Sequence, residues 1–95
     1  RVYATKCILG VNGITAEDGI TTSIHQETSI NSLMLRRCKG ERIVVADSSK
    51  VGHSYDFISA SIDMIDCLIT DSDADEADLE RLRAAGVKVL VVPAE

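Results

Sequence analysis

Four short stretches are apolar almost without a break: Lys6-Cys7-Ile8-Leu9-Gly10-Val11, Arg42-Ile43-Val44-Val45-Ala46, Cys67-Leu68-Ile69-Thr70, and Val87 to Val92. A strand with one wet face alternates apolar and polar residues, whereas a continuous apolar run implies a sheet buried on both faces. Segments of helical period separate some of these runs. The order strand, helix, strand, strand, helix, strand predicts an α/β fold with a mainly parallel sheet and flanking helices. With 95 residues, at most one small domain fits. Two helices barely cover one face of such a sheet. The other face needs more polypeptide or a partner subunit. The expectation is therefore a fragment of a larger domain, or an obligate oligomer; the chain also begins without a start methionine, as if in mid-architecture.

Composition narrows the function classes. Hydrophobic residues make up 45% of the chain, enough for a core, and the aromatics are only Tyr3, Tyr55 and Phe57. That core must be built from Ile, Val, Leu and Ala. The net charge is -5 and no basic stripe is visible, so nucleic-acid binding by this piece alone is not expected. The apolar runs are too short to span a membrane, and no signal peptide is expected. Cys7, Cys38 and Cys67 form no Cys-x-x-Cys pair and no Cys/His cluster. They read as reduced, partly buried thiols of a cytoplasmic protein, without a disulfide framework, structural metal or cofactor.

Arg1 to Thr5 carry no element signal. After the first strand, Asn12 to Thr22 reads as a long loop whose glycines permit tight turns or close approach to a ligand. A helix should follow from about Ser23 or Glu27 to Lys39. Ile30, Leu33, Met34 and Cys38 would lie on one face, Arg36, Arg37 and Lys39 in the last turn, and Gly40 at the stop. Tyr55 to Ile58 suits a short strand and Ser61 to Asp66 a single helical turn. A second helix is expected over Asp73 to Ala85, with Asp73 as cap, Glu76 three residues on, Leu79, Leu82 and Ala85 buried, and Gly86 ending it. Its early acids, Asp75, Glu76 and Asp78, match the helix dipole better than they suggest a metal site.

The chemistry gathers where the second strand ends. Ala46 is followed by Asp47-Ser48-Ser49-Lys50-Val51-Gly52. Ligands of parallel α/β sheets bind beyond the carboxyl ends of the strands. Two hydroxyls, free backbone N–H groups and the Lys50 ammonium suit an anion, most simply a phosphate. The plainer alternative is a hydrophilic turn with Lys50 in solvent.

Three phrases in register resemble the C-terminal effector-sensing domain of DeoR-family bacterial transcription regulators: Gly10-Val11-Asn12-Gly13-Ile14 with Gly19-Ile20-Thr21-Thr22, Ala46-Asp47-Ser48-Ser49-Lys50-Val51-Gly52, and Ile65-Asp66-Cys67-Leu68-Ile69-Thr70-Asp71-Ser72. The likeness runs along nearly the whole chain and includes Ala85-Gly86-Val87-Lys88-Val89. It implies the later half of a ribose-5-phosphate isomerase-like sensor domain, without its winged helix-turn-helix DNA-binding domain. It also implies a phosphorylated sugar or related metabolite as effector, operator DNA as partner only through the missing domain, a homo-oligomer, and repression of sugar genes. By the same resemblance Lys50 faces the ligand phosphate, with the Ser48–Lys50 backbone and Asp47 in the same loop. Asn12 and Gly13 lie in the loop that carries acid chemistry in the related enzymes. Thr21, Thr22 and Glu27 match a Gly-Leu-Thr-Thr…Glu segment, here with Ile20 for the leucine. Asn31 stands where the family often has a basic residue, which bears on ligand choice.

The chain is not expected to be an enzyme. Asn12 is an amide and cannot act as a general base, though it can bond a sugar hydroxyl, as can Glu27. A sugar-phosphate isomerase or deaminase would need a poised base, and Asp18, Glu27, Asp47, His25 and His53 form no recognisable acid–base constellation. Thr21 or Thr22 serves equally well as a cap for the following helix.

Overall fold

The computed structural model describes residues 4–95; Arg1 to Tyr3 lie outside the described residues. In chain order the elements are β1 (Ala4–Gly10), β2 (Gly13–Thr15), β3 (Gly19–Thr22), α1 (His25–Arg36), β4 (Cys38–Val45), β5 (Phe57–Ala60), a 3-10 turn (Ile62–Met64), β6 (Cys67–Asp71), α2 (Glu76–Ala84) and β7 (Lys88–Val92). The apolar runs became β1, β4, β6 and β7, and they form one parallel sheet in the order β1-β4-β6-β7.

Register explains the burial. Leu9, Val44, Leu68 and Val89 stand side by side across the four strands. Leu9, Val44 and Leu68 are buried, and they join Leu35 of α1 and Leu79 and Leu82 of α2 in one core cluster. The adjacent row, Gly10, Val45, Ile69 and Leu90, points the other way because side chains alternate along a strand. On that face Ile8 is 63% exposed, Val45 44% and Leu90 43%. The expectation of a half-covered sheet is met.

The segment expected as a loop over Asn12 to Thr22 is instead a β-hairpin. β2 and β3 pair antiparallel, with Ile14 opposite Ile20, and β5 adds a third strand in the order β2-β3-β5. Ile14 and Ile20 are both fully buried. Glycines, acids and threonines crowd this stretch and hide its two apolar anchors. Gly19 has φ +77°, and a Cβ there would stand 2.1 Å from the Ala60 carbonyl oxygen. Only glycine fits that turn.

α1 is shorter than expected and buries a different residue. It ends at Arg36, and Cys38 to Gly40 already belong to β4. Gly40 is therefore not the stop, and of the three basic residues only Arg36 is in the last turn. The helix end is satisfied from further on. Arg42 donates from Nε to the Leu35 carbonyl (2.8 Å) and from its guanidinium to the Cys38 carbonyl (3.3 Å). Leu35 is the buried residue of α1, whereas Ile30, Leu33 and Met34 are exposed.

α2 starts later than expected. Its cap is Asp75, which accepts from Ala77 N and Asp78 N, while Asp73 N donates to Asp71. Leu79 and Leu82 are buried as expected, Ala85 is exposed, and Gly86 follows with φ +98°. Cys7, Cys38 and Cys67 are free and fully rather than partly buried. Burial pushes the Cys7 and Cys67 thiols up from their usual range, so they stay protonated. Among the described residues no helix is long and apolar enough to cross a membrane.

Leu68→Ala should cost about 2–5 kcal/mol, the usual range for a core leucine. Gly19→Ala should also destabilise strongly, because both φ and space forbid a Cβ. Urea unfolding followed by circular dichroism measures both. A loss under about 0.5 kcal/mol in either, the level of an ordinary surface change, would contradict this packing.

Candidate functional site

β1 and β4 end side by side, with Gly10 opposite Val45. Beyond their carboxyl ends lies a cavity of about 490 Å³, lined by Gly10, Val11, Asn12, Glu27, Val45, Ala46, Asp47 and Lys50. Its size suits a small metabolite. The strands place Val45 and Ala46, the turn after β1 brings Asn12, and α1 brings Glu27. Asp47 and Lys50 come from the polar loop after β4.

That loop is folded tightly. Lys50 N donates to the Asp47 carbonyl (3.0 Å) and Val51 N to the Ser48 carbonyl (3.3 Å). It is also fastened to the hairpin: Ile14 N donates to the Lys50 carbonyl (3.0 Å), and Gly52 N donates to the Ile14 carbonyl (2.9 Å). Gly52 adopts φ +83°, and a Cβ there would collide with the Asp78 carboxylate. The loop is thus wedged between β2 and α2.

Of the residues singled out in the sequence, Asn12, Glu27, Asp47 and Lys50 meet in the cavity. Thr22 does not line it but organises it. Its Oγ1 lies 2.7 Å from Asn12 Oδ1 and 2.9 Å from Glu27 Oε2, and it accepts from Ile24 N at 3.1 Å. The single hydroxyl proton serves one of the two acceptors at a time. Thr22 therefore both steadies the helix start and braces two polar groups that face the cavity.

Gly13 and Thr21 lie behind the site. Thr21 Oγ1 accepts from Tyr55 N (3.0 Å), and a Cβ on Gly13 would stand 2.3 Å from the His53 carbonyl oxygen. Both hold the chain after the polar loop in place. Ser48 and Ser49 turn their N–H groups to carboxylates: Ser48 N donates to Asp71 Oδ2 and Ser49 N to Asp47 Oδ1, each at 2.9 Å. The sequence reading missed Asp71 as an anchor of this loop. The Asp71-Ser72 exit of β6 was visible as a polar strand end, but nothing in the sequence says that it reaches Ser48.

Electrostatics follow from these bonds. The cavity holds the Glu27 and Asp47 carboxylates and the Lys50 ammonium. Hydrogen bonds from the Ser49 side chain, from Lys50 and from the Ser49 backbone hold Asp47 below the usual carboxylate range. Backbone N–H groups of Ser48 and Asp73 do the same for Asp71. A second hollow of about 190 Å³ adjoins the first, lined by Val45, Ala46, Asp47, Ile69, Thr70, Asp71 and Val92.

Two outcomes are expected. The depressed Asp47 and Asp71 contribute stability that is present above their ordinary value near 3.8 and lost as pH falls through their folded values. The melting temperature should therefore drop as pH falls below about 4, and drop less in Asp71→Asn; an equal drop would exclude Asp71. Thr22→Val keeps the shape and removes the hydroxyl. It should cost about 1–2 kcal/mol in urea unfolding, as expected when buried hydrogen bonds lose a partner.

The comparisons with known proteins agree with this arrangement. Residues 1–72 match the family described as DeoR C terminal sensor domain. The HTH-type transcriptional regulator GlpR of Haloferax volcanii is 35% identical over 82 residues, covering 86% of this chain and 32% of that protein. The HTH-type transcriptional repressor GlcR of Bacillus subtilis is 34% identical over 89 residues, covering 94% of this chain and 34% of that protein. The putative aga operon transcriptional repressor of Escherichia coli O157:H7 is 40% identical over 86 residues, covering 88% and 31%. The chain thus spans about a third of the length of the curated relatives it matches. A sheet open on one face, a polar loop at its carboxyl edge and these matches lead to one assignment: the chain belongs to the DeoR family, as its C-terminal sensor domain.

Proposed function

We propose that the cavity at the ends of β1 and β4 is the effector site of a transcriptional regulator and takes a phosphorylated sugar or related metabolite. The observation that carries this reading is the convergence of Lys50, Asn12 and Glu27 on one 490 Å³ cavity. Lys50 supplies the charge for a phosphate, and Asn12 and Glu27, braced by Thr22, supply partners for hydroxyls. Asp47, Ser48 and Ser49 shape the loop that presents Lys50, and Gly13 and Thr21 hold the backbone behind it.

In this reading residues 1–95 form the C-terminal part of one sensor domain. A winged helix-turn-helix domain elsewhere in the polypeptide contacts operator DNA, and the regulator works in the cytoplasm as a homo-oligomer, repressing genes of sugar metabolism. The exposed Ile8, Val45 and Leu90 support a further layer on the open sheet face, from the same polypeptide or another subunit. The effector acts by population shift: it must bind one arrangement of the regulator more tightly than the other, with a coupling of about 1–3 kcal/mol typical.

Catalysis is the weaker reading. His25 packs edge-on against Phe57, with ring centroids 5.0 Å apart, and the cavity lining includes neither His25 nor His53. Asn12 cannot remove a proton from a sugar carbon.

Thermal shift and calorimetry with a panel of sugar phosphates on the full-length regulator test the proposal. One compound should raise the melting temperature by mass action. Lys50→Ala should stay folded and lose about tenfold or more in affinity, as when a charge-assisted hydrogen bond is removed. An equal response in Lys50→Ala would reject Lys50 as the phosphate ligand. Turnover of any of the sugar phosphates would reject the sensor reading in favour of an enzyme.

A further inference from the structure

The cationic end of the cavity is already occupied by a carboxylate. Asp47 Oδ1 accepts from Ser49 N at 2.9 Å and from the Ser49 hydroxyl, and Asp47 Oδ2 accepts from Lys50 Nζ at 3.0 Å. Three donors thus converge on one anionic group. Asp47 and Lys50 both line the cavity, with side chains 55% and 36% exposed.

We propose that Asp47 is a resident counter-anion that determines which ligands the site accepts: an entering group must take Lys50 and Ser49 away from its carboxylate. This rests on the reading that Lys50 receives a phosphate. A phosphoryl group carries a charge of about -1.5 to -2 and three acceptor oxygens, so it outbids a carboxylate for the same three donors. A neutral hydroxyl or a singly charged carboxylate does not. The exchange is cheap, because exposed ion pairs are weak, and the released Asp47 side chain already borders solvent.

The neighbouring bonds fix what moves. Ser48 N is held by Asp71 and stays out of the exchange, and the loop backbone is pinned to Ile14. Only the Asp47, Ser49 and Lys50 side chains and the Ser49 N–H change partners.

The test is calorimetric titration of inorganic phosphate and of acetate into the full-length protein and its Asp47→Asn and Lys50→Ala variants. Asp47→Asn should bind phosphate about two- to fivefold tighter, the scale expected when an exposed ionic competitor is removed. It should also bind acetate measurably, so that the preference for phosphate over acetate narrows. It should remain folded at neutral pH with a melting temperature only slightly lowered, since the Asp47 carboxylate makes exposed bonds that contribute little. Unchanged or weaker phosphate binding in Asp47→Asn, with binding lost in Lys50→Ala, overturns the counter-anion role and leaves the Lys50 assignment standing. Absence of phosphate binding in all three proteins overturns both.

Discussion

The site depends on the backbone of one residue. Ile14 lies between two partners: within the hairpin it stands opposite Ile20, and on its other side its N–H and carbonyl bond Lys50 and Gly52. Its side chain is fully buried. Two backbone hydrogen bonds contribute roughly 0.5–1.5 kcal/mol each, but their geometric effect is larger. They convert a six-residue polar turn, of a kind that is commonly mobile, into a loop with a fixed position relative to β2. Lys50 reaches the cavity because Ile14 holds the backbone on which it is carried.

Around that clamp the polar residues form two tiers. Asn12, Glu27, Asp47 and Lys50 face the cavity, and Thr22, Thr21, Gly13 and Asp71 set where those groups or their loops stand. The second tier is assembled from β3, the start of β2 and the end of β6. The cavity is therefore walled by parts of the chain that are joined through the hairpin.

Much of this was legible in the sequence. Continuous apolar runs gave the parallel sheet, and the polar stretch after Ala46 gave the loop at its carboxyl edge. The misreadings have physical causes. Ile14 and Ile20 were too few to announce strands among glycines and threonines, and they became strands because each pairs with a neighbour distant in sequence. The α1 terminus was misplaced because Arg42, beyond the helix, supplies its capping donors. The α2 cap could not be chosen among closely spaced acids without the geometry that favours Asp75 over Asp73. The apolar stripe of α1 suggested a buried face, yet Ile30 is 59% exposed. Periodicity shows that a face is apolar and does not show what covers it.

The placement of β7 has a consequence for handling the protein. It is the last strand of the sheet order, next to β6 alone, and Leu90, Val91 and Val92 are all substantially exposed. An apolar edge strand offers its unpaired backbone groups as a template on which another chain can grow. Lys88 at its start and Pro93 just after its end are the usual chemical brakes on such growth, and they guard its two ends but not its middle. The middle of β7 is therefore the place on this edge where strand pairing between copies of the chain would begin.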